Sequence, residues 1–305
     1  MELDRATTRV RGNGFVGKNI SGHESDISEP RRLCDSARSR YGRRMTPPGL
    51  QERIWTAALL VIGDEILSGR TQDKNVAQVA LWLNMQGIRL TEVRVVADDM
   101  ELIGRAVVEL KAGNDYLFTT GGIGPTHDDI TVDAIARALD VEVVIHPKAR
   151  KALEDYYTTR GGLTDARLRM ARVPDGAELI ENRMSGAPGI RMGNIFILAG
   201  VPHIAGLMLE ALSNQLEGGR PMLSRTIGCW VAESEVADLL REVEAANAGS
   251  QIGSYPFFQT GKVGANFVVR SIDAGTVDSC IAAIGSGLIL LGYEPVADGI
   301  LLPAS

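Results

Sequence analysis

No run of apolar residues in the chain approaches the roughly 18 that a membrane helix needs, so the sequence predicts no membrane partner. Cysteine is scarce too. Cys34, Cys229 and Cys280 are far apart and odd in number, so neither a disulfide framework nor a zinc pattern follows. A reducing compartment, the cytoplasm, is the simplest setting. The other histidines, His23, His146 and His203, make no metal-ligand spacing with His127, and no Ser-His-Asp nucleophile pattern is visible. An excess of positive charge is missing as well. The net charge is −6, which argues against a nucleic-acid partner bound by a basic surface. Aromatics make up only 5% of the 305 residues, whereas 45% are hydrophobic and 34 are glycine. That balance suits an α/β protein with an aliphatic core, and the length allows two domains.

The first 44 residues differ from the rest. They hold ten Lys/Arg and six Asp/Glu, so they carry +4 and residues 45–305 carry −10. They show no apolar period and many Arg, Ser and Gly, and cannot bury enough surface to offset the entropy of ordering. Acids are too frequent for a mitochondrial-type targeting peptide. Residues 1–50 are therefore expected to be either a disordered extension or an upstream start artefact with Met45 as the true first residue. A native peptide that begins before Met45, seen by mass spectrometry, would exclude the artefact.

From Trp55 onward the pattern is regular. "TAALLVIG" and "DYLFTT" read as buried strands and "RLTEVRVVAD" as an alternating one. Asp73 is placed to cap a helix over "KNVAQVALWLNMQG", and Asp99 one over "MELIGRAVVELKAG". "DITVDAIARALD" predicts a helix and "VEVVI" the next strand; "PKARKALEDYYTTRGG" and "TDARLRMARVP" read as helices; "NIFILAG" predicts a strand and "VPHIAGLMLEAL" a helix. Alternating strands and helices with short connections mean a mostly parallel sheet with helices on both faces, over residues 51–218. Residues 219–305 then form a second, smaller α+β domain. It has strands at "TIGCWVA" and "GANFVVRSI", a strand or turn at "QIGSYPFF", and helices at "SEVADLLREVEAAN", capped by Ser234, and "AGTVDSCIAAIGS".

Ligands of parallel sheets bind at the carboxyl ends of the strands. Three polar loops lie there: "GDEILSG", "ADD" and "GGIGPTHDD". Their strands share an edge, so the loops are expected to form one crevice. Gly121, Gly122 and Gly124, with Pro125, stand between a strand and a helix. Such a turn can take positive φ, leave a ligand unobstructed by a Cβ, and offer amides and a helix start to a phosphate or carboxylate. Thr120 and Thr126, with Thr119, add hydroxyl donors. The order G-x-x-x-x-G-K-[ST] is absent, so the turn is not a Walker P-loop. Four aspartates, Asp98, Asp99, Asp128 and Asp129, adjoin two of the loops. Capping accounts for one per helix. The surplus carboxylate suits Mg²⁺ or another divalent cation shared with a bound phosphate, which would relieve the repulsion between the two anions. Gly63, Asp64, Glu65, Ser68 and Gly69 fit the same crevice, although an ordinary polar loop explains them too. Lys74 and Asn75 suit a solvated helix start equally well, and His127 a solvent-facing loop.

The ordered motifs "VIGDEILSGRTQDKN", "VRVVADD", "TTGGIGPTHDDITVDAIARAL", "SGAPGI" and "ILAGVP" resemble the molybdopterin-binding domain of the MoaB/Mog-like superfamily. The closer resemblance is to the N-terminal part of the competence/damage-inducible protein A family, and it runs from about residue 55 to 300 through "GSYPFF" in the smaller domain. The resemblance implies a three-layer α/β/α domain, a homo-oligomer, and a crevice for a small nucleotide or a pterin phosphate, with molybdopterin as one such ligand. It assigns ligand, metal and catalytic roles to Asp98 and Asp129, and phosphate binding to the glycine turn. It implies metal-dependent hydrolysis of the pyrophosphate of ADP-ribose-like dinucleotides. Molybdopterin adenylyltransferase activity and a non-catalytic pterin- or nucleotide-binding module are the alternatives. The smaller domain favours the hydrolase over single-domain adenylyltransferases. A related domain occurs in eukaryotic FAD synthase. Two departures stand out. The usual acidic residue after "GVP" is replaced in "GVPHIA". No amidase segment follows within the 305 residues, so nicotinamide-nucleotide amidase activity is expected to be absent.

Overall fold

The structure is a computed structural model that describes residues 53–259 and 261–301. The expectations for residues 1–50 fall outside them. In chain order the elements are β1 (Trp55–Ile62), α1 (Asp64–Leu67), α2 (Asn75–Met85), β2 (Ile88–Val96), α3 (Met100–Gly113), β3 (Tyr116–Thr120), α4 (Thr131–Ala138), β4 (Val143–Ile145), α5 (Pro147–Tyr157), α6 (Asp165–Leu168), β5 (Arg172–Pro174), β6 (Glu178–Ile180), β7 (Gly189–Met192), β8 (Ile195–Leu198) and α7 (Pro202–Ala211). The smaller domain follows with β9 (Leu223–Cys229), α8 (Ala237–Ala246), β10 (Gln251–Gln259), β11 (Lys262–Ser271), α9 (Ala274–Leu290) and β12 (Pro295–Ala297).

The first sheet runs β2-β1-β3-β8-β7-β6, parallel from β2 to β8 and antiparallel at β7 and β6. Strand β1 is buried on both faces, as its unbroken aliphatic run requires. Ala58, Leu60 and Ile62 pack on α3 and α4 through Ile103, Val107 and Ile135. Ala57, Leu59 and Val61 pack on α2 and α7 through Val79, Leu83 and Met208. The result is the expected three-layer architecture. The second domain is a four-stranded antiparallel sheet, β10-β11-β9-β12, whose core around Phe267, Val269 and Ile284 is covered by α8 and α9.

Several expectations are corrected. Strand β4 does not continue the main sheet but forms a two-stranded antiparallel ribbon with β5. The segment "TDARLRMARVP" is a single helical turn, a 3-10 turn over Arg169–Ala171 and then β5. Helix α8 starts at Ala237 with no side-chain cap, because Ser234 sits in a separate 3-10 turn, Glu233–Glu235. Asp99 caps α3 as expected, accepting the amides of Glu101 and Leu102. Among the described residues no helix is long and apolar enough to cross a membrane.

Candidate functional site

Strands β1 and β3 are neighbours whose connections leave toward opposite faces, β1 to α2 and β3 to α4. Diverging connections open a crevice at the carboxyl edge, the place where open α/β sheets bind ligands. The loops after β1, β2, β3 and β8 all end there. The structure therefore brings together "GDE", "ADD" and the glycine turn, and adds Ala199–Val201 from the loop after β8.

The floor is main chain. Gly121 donates its amide to the Leu198 carbonyl at 3.3 Å. A Cβ on Gly121, whose φ is +103°, would overlap the Ile62 carbonyl, and one on Gly200 would lie 3.2 Å from the Gly121 Cα. Thr131, the first residue of α4, donates its hydroxyl to the Gly121 carbonyl at 2.9 Å and its amide to Gly122 at 3.1 Å. The amides of Gly122 and Ile123 donate to no group among the described residues. Two such successive amides at a strand-to-helix turn suit an anion.

The reason for glycine at position 122 differs from the sequence reading. Its φ is +65°, and a Cβ would overlap the Thr131 hydroxyl rather than the path of a ligand. Gly122→Val is thus expected to destabilise the fold itself. Strain at a left-handed position costs about 1–3 kcal/mol, and the Thr131–Gly121 bond is lost as well. Thermal unfolding should show a lower Tm without ligand; an unchanged Tm would contradict this. Gly124 is set by a different contact: its Cβ would stand 2.7 Å from the Asp129 carboxylate.

Asp129 holds the turn together. One carboxylate oxygen accepts the Gly124 amide at 2.7 Å; the other accepts the Thr126 amide at 2.7 Å and the Thr126 hydroxyl at 2.5 Å. It is not the cap of α4, whose N-cap is Ile130 with no side-chain cap bond. Asp98 stands differently. Its Oδ2 accepts the Asp64 amide at 3.0 Å, tying the ends of β1 and β2 together. Burial pushes its carboxyl above the usual range; the Asp64 amide opposes this, and the charges of Asp64, Glu65 and Asp128 reinforce it. So the acidic neighbours facing Asp98 come from the other two loops, and the one from the glycine turn is Asp128. Asp128 is exposed, and its own carboxyl is held below the usual range by the Thr126 side chain. The Glu65 carboxylate turns back over Gly63, about 2.6 Å from where a Cβ would be.

The remaining candidates take varied places. Ser68, Gly69, Pro125, Thr126 and His127 are exposed on the rim, where the Ser68 hydroxyl donates to the Glu65 carbonyl at 3.3 Å. Thr120 lies beneath the turn, 1% exposed, and its hydroxyl and that of Thr119 have no hydrogen-bond partner among the described residues. Asn75 is not a solvated helix start. It is 4% exposed, its Nδ2 donates to the Gly200 carbonyl at 2.8 Å, and its Oδ1 has no partner among the described residues. Asp73 accepts the Val76 amide at 2.7 Å. Ile204, half-buried and preceded by exposed His203, stands where the resemblance leads one to expect an acid.

Sequence reasoning missed Arg169. From forty residues away its guanidinium donates to the Asp129 carbonyl at 3.3 Å, and its Nε is buried without a partner among the described residues. With Arg172, which pairs with Asp133, and with Pro188 of "SGAPGI", it backs the glycine turn. The sequence reading placed it only within the helix expected over "TDARLRMARVP".

Residues 58–218 match the family described as "Probable molybdopterin binding domain", and residues 221–289 match "FAD synthase, middle domain". A "CinA-like protein" of Desulfosudis oleivorans is 35% identical over 209 residues, covering 65% of this chain and 51% of its own. A "Probable FAD synthase" of Caenorhabditis briggsae is 31% identical over 251 residues, covering 72% of this chain and 47% of its own. The chain thus spans about half the length of these two relatives. The crystal structure of CinA, of unknown function, from Thermoplasma acidophilum is similar at a TM-score of 0.50 and 32% identity, over 53% of this chain and 98% of that one.

Proposed function

The chain belongs to the molybdopterin-binding domain family, and from that premise we propose that its carboxyl-edge crevice binds a phosphorylated nucleotide or pterin and, with a divalent cation, hydrolyses the pyrophosphate of an ADP-ribose-like dinucleotide. The observation that carries this reading is the pairing of opposites. The uncommitted amides of Gly122 and Ile123 suit a phosphate, and the acids gathered around Asp98 suit a cation. The unpaired hydroxyl of Thr120 and Oδ1 of Asn75 add support, since buried polar atoms without partners cost about 1–3 kcal/mol each and are rarely retained without a use.

The donors around Asp98 are carboxylates, which suit a hard divalent cation. Among the described residues no three His, Cys, Asp or Glu side chains gather closely enough to hold a metal ion alone. Mg²⁺ needs only one or two carboxylates and completes its shell with water and substrate phosphate. Asp98 and Asp128 are the residues that would hold it, with Glu65 at the rim. Asp129, whose oxygens serve the turn, positions the phosphate amides instead. When bound, the cation would polarise a phosphoryl oxygen and acidify a water. The protein's own part is to orient the pyrophosphate with the Gly122 and Ile123 amides and to meet its developing charge.

Incubation with ADP-ribose, with FAD, and with molybdopterin plus ATP, each with several divalent ions, tests the reading. Cation-dependent AMP release from ADP-ribose is expected. An adenylylated pterin would establish the adenylyltransferase instead, and calorimetric binding without turnover of any substrate would leave a binding module. Mg²⁺ or Mn²⁺ together with a non-hydrolysable substrate analogue is expected to raise Tm, by about 2.7 kcal/mol of stability at a hundred times Kd. No shift with any divalent ion would remove the cation from the proposal.

A further inference from the structure

The acids gather at the carboxyl edge of the first sheet; arginines gather at its other edge. A cavity of about 530 Å³ opens where the starts of β1 and β2 meet the interdomain linker and the second domain. That size lies within the range of small-molecule sites. Arg53 and Arg89 come from the first domain, Arg220 from the linker and Arg270 from β11, and no aspartate or glutamate lines it. Ile88, Leu90, Met222 and Ile272 supply an apolar wall. In a chain of net charge −6, an acid-free cleft with four guanidinium groups draws anions.

Those guanidinium groups are not equally engaged. Arg53 pairs with Asp115 and lies 3.8 Å over the Trp55 ring. Arg270 donates to the Tyr255 hydroxyl at 2.7 Å. The Thr276 amide and hydroxyl hold the carboxyl of Asp273, the cap of α9, below its usual range, and the charge of Arg220 adds to this. Arg89 has no hydrogen-bond or ion-pair partner among the described residues. The walls are fixed before any ligand arrives. Asn84 holds the linker by both ends of its amide, to the Met222 amide at 3.1 Å and its carbonyl at 3.4 Å. Gly219 donates to Gly87 at 3.0 Å, an approach so close that a Cβ on Gly87 would overlap Gly219. The eight residues of β1 separate this cleft from the carboxyl-edge crevice, roughly 23 Å at about 3.3 Å per residue.

We propose that this cleft is a second ligand site, for a phosphorylated small molecule whose anionic group meets Arg89 and Arg270 and whose apolar part lies on Ile88, Met222 and Ile272. The planar fork of arginine donates to two phosphate oxygens at once, which favours phosphate over a single point charge. Because both domains supply an arginine, the ligand joins them.

Calorimetry with ADP and with inorganic pyrophosphate, both in EDTA so that no cation assists the other crevice, tests this. Saturable binding is expected, stronger for ADP because pyrophosphate lacks the apolar part. Arg89→Ala and Arg270→Ala should each weaken it about tenfold or more, and Arg89→Lys, which keeps charge but not the fork, by less. Asp98→Asn should leave it unchanged. Absence of saturable binding by the unaltered chain overturns the proposal, as does equal affinity in folded Arg89→Ala and Arg270→Ala. Should either alanine variant fail to fold, unchanged affinity in Arg89→Lys overturns it equally. Binding that survives those variants but changes in Asp98→Asn would place the ligand in the carboxyl-edge crevice.

Discussion

Asp98→Asn is expected to cut cation-dependent turnover roughly a hundredfold or more, the scale on which charge-stabilising groups in active sites act, while making the protein more stable at neutral pH. The two effects share a cause. The folded chain holds Asp98 in a half-buried place facing Asp64, Glu65 and Asp128, which raises its carboxyl above the unfolded value. Between the ordinary carboxylate range and that raised value, the unfolded chain has released its proton and the folded chain still holds it. Stability therefore falls as pH rises through this window, and the penalty is complete above it. Asparagine carries no charge and can still accept the Asp64 amide. Its Tm should exceed that of the unaltered chain at pH 7, and the gap should close on acidification below the usual carboxylate range. A bound cation should narrow the gap too, by offsetting the clustered charge. A variant with lower Tm at pH 7 and full turnover would sink both halves of the argument.

Asp129→Asn should fail in a different way. Its remaining oxygen can keep the Gly124 amide, but the new NH₂ faces the Thr126 amide, donor against donor. At least one hydrogen bond to a charged acceptor is lost, about 1.5–3 kcal/mol at most because it is exposed, and the turn from Gly124 to Thr126 loosens. Turnover is expected to drop by roughly one to two orders of magnitude, mostly through weaker substrate binding, with Tm lowered and cation affinity retained. Asp129→Ala should be worse. The contrast with Asp98 is what the measurement reads: loss of cation affinity in Asp129→Asn with Tm unchanged would return Asp129 to the ligand role that the family resemblance implies.

That reassignment marks how far the sequence could be read. Helix α3 was legible end to end, since its apolar spacing, the Asp99 cap and Gly113 are all local signals. So were β1, an aliphatic run, and β3, a short apolar and β-prone run that leads into the glycine turn. Strands β6, β7 and β12 were missed because three or four residues carry no period. Strand β4 has a strand's composition, but only its long-range pairing to β5 takes it out of the main sheet. In the site, convergence of the loops followed from topology. The partners did not: nothing local says that Asp129 spends its oxygens on Thr126, that Asn75 reaches Gly200, or that Arg169 arrives behind the turn from forty residues downstream.

The main-chain floor of the crevice has a consequence for how this site can diverge. Where Ile62, Gly121 and Gly200 touch backbone to backbone, there is no side chain to exchange, and any added carbon collides with the scaffold. Anion capture is thereby insulated from mutation, while Ser68 and His127 stand exposed above it and are free to vary. New substrates would be acquired by changes to that rim on an unchanging base, so a library confined to these two positions should shift ligand preference with little loss of folded protein.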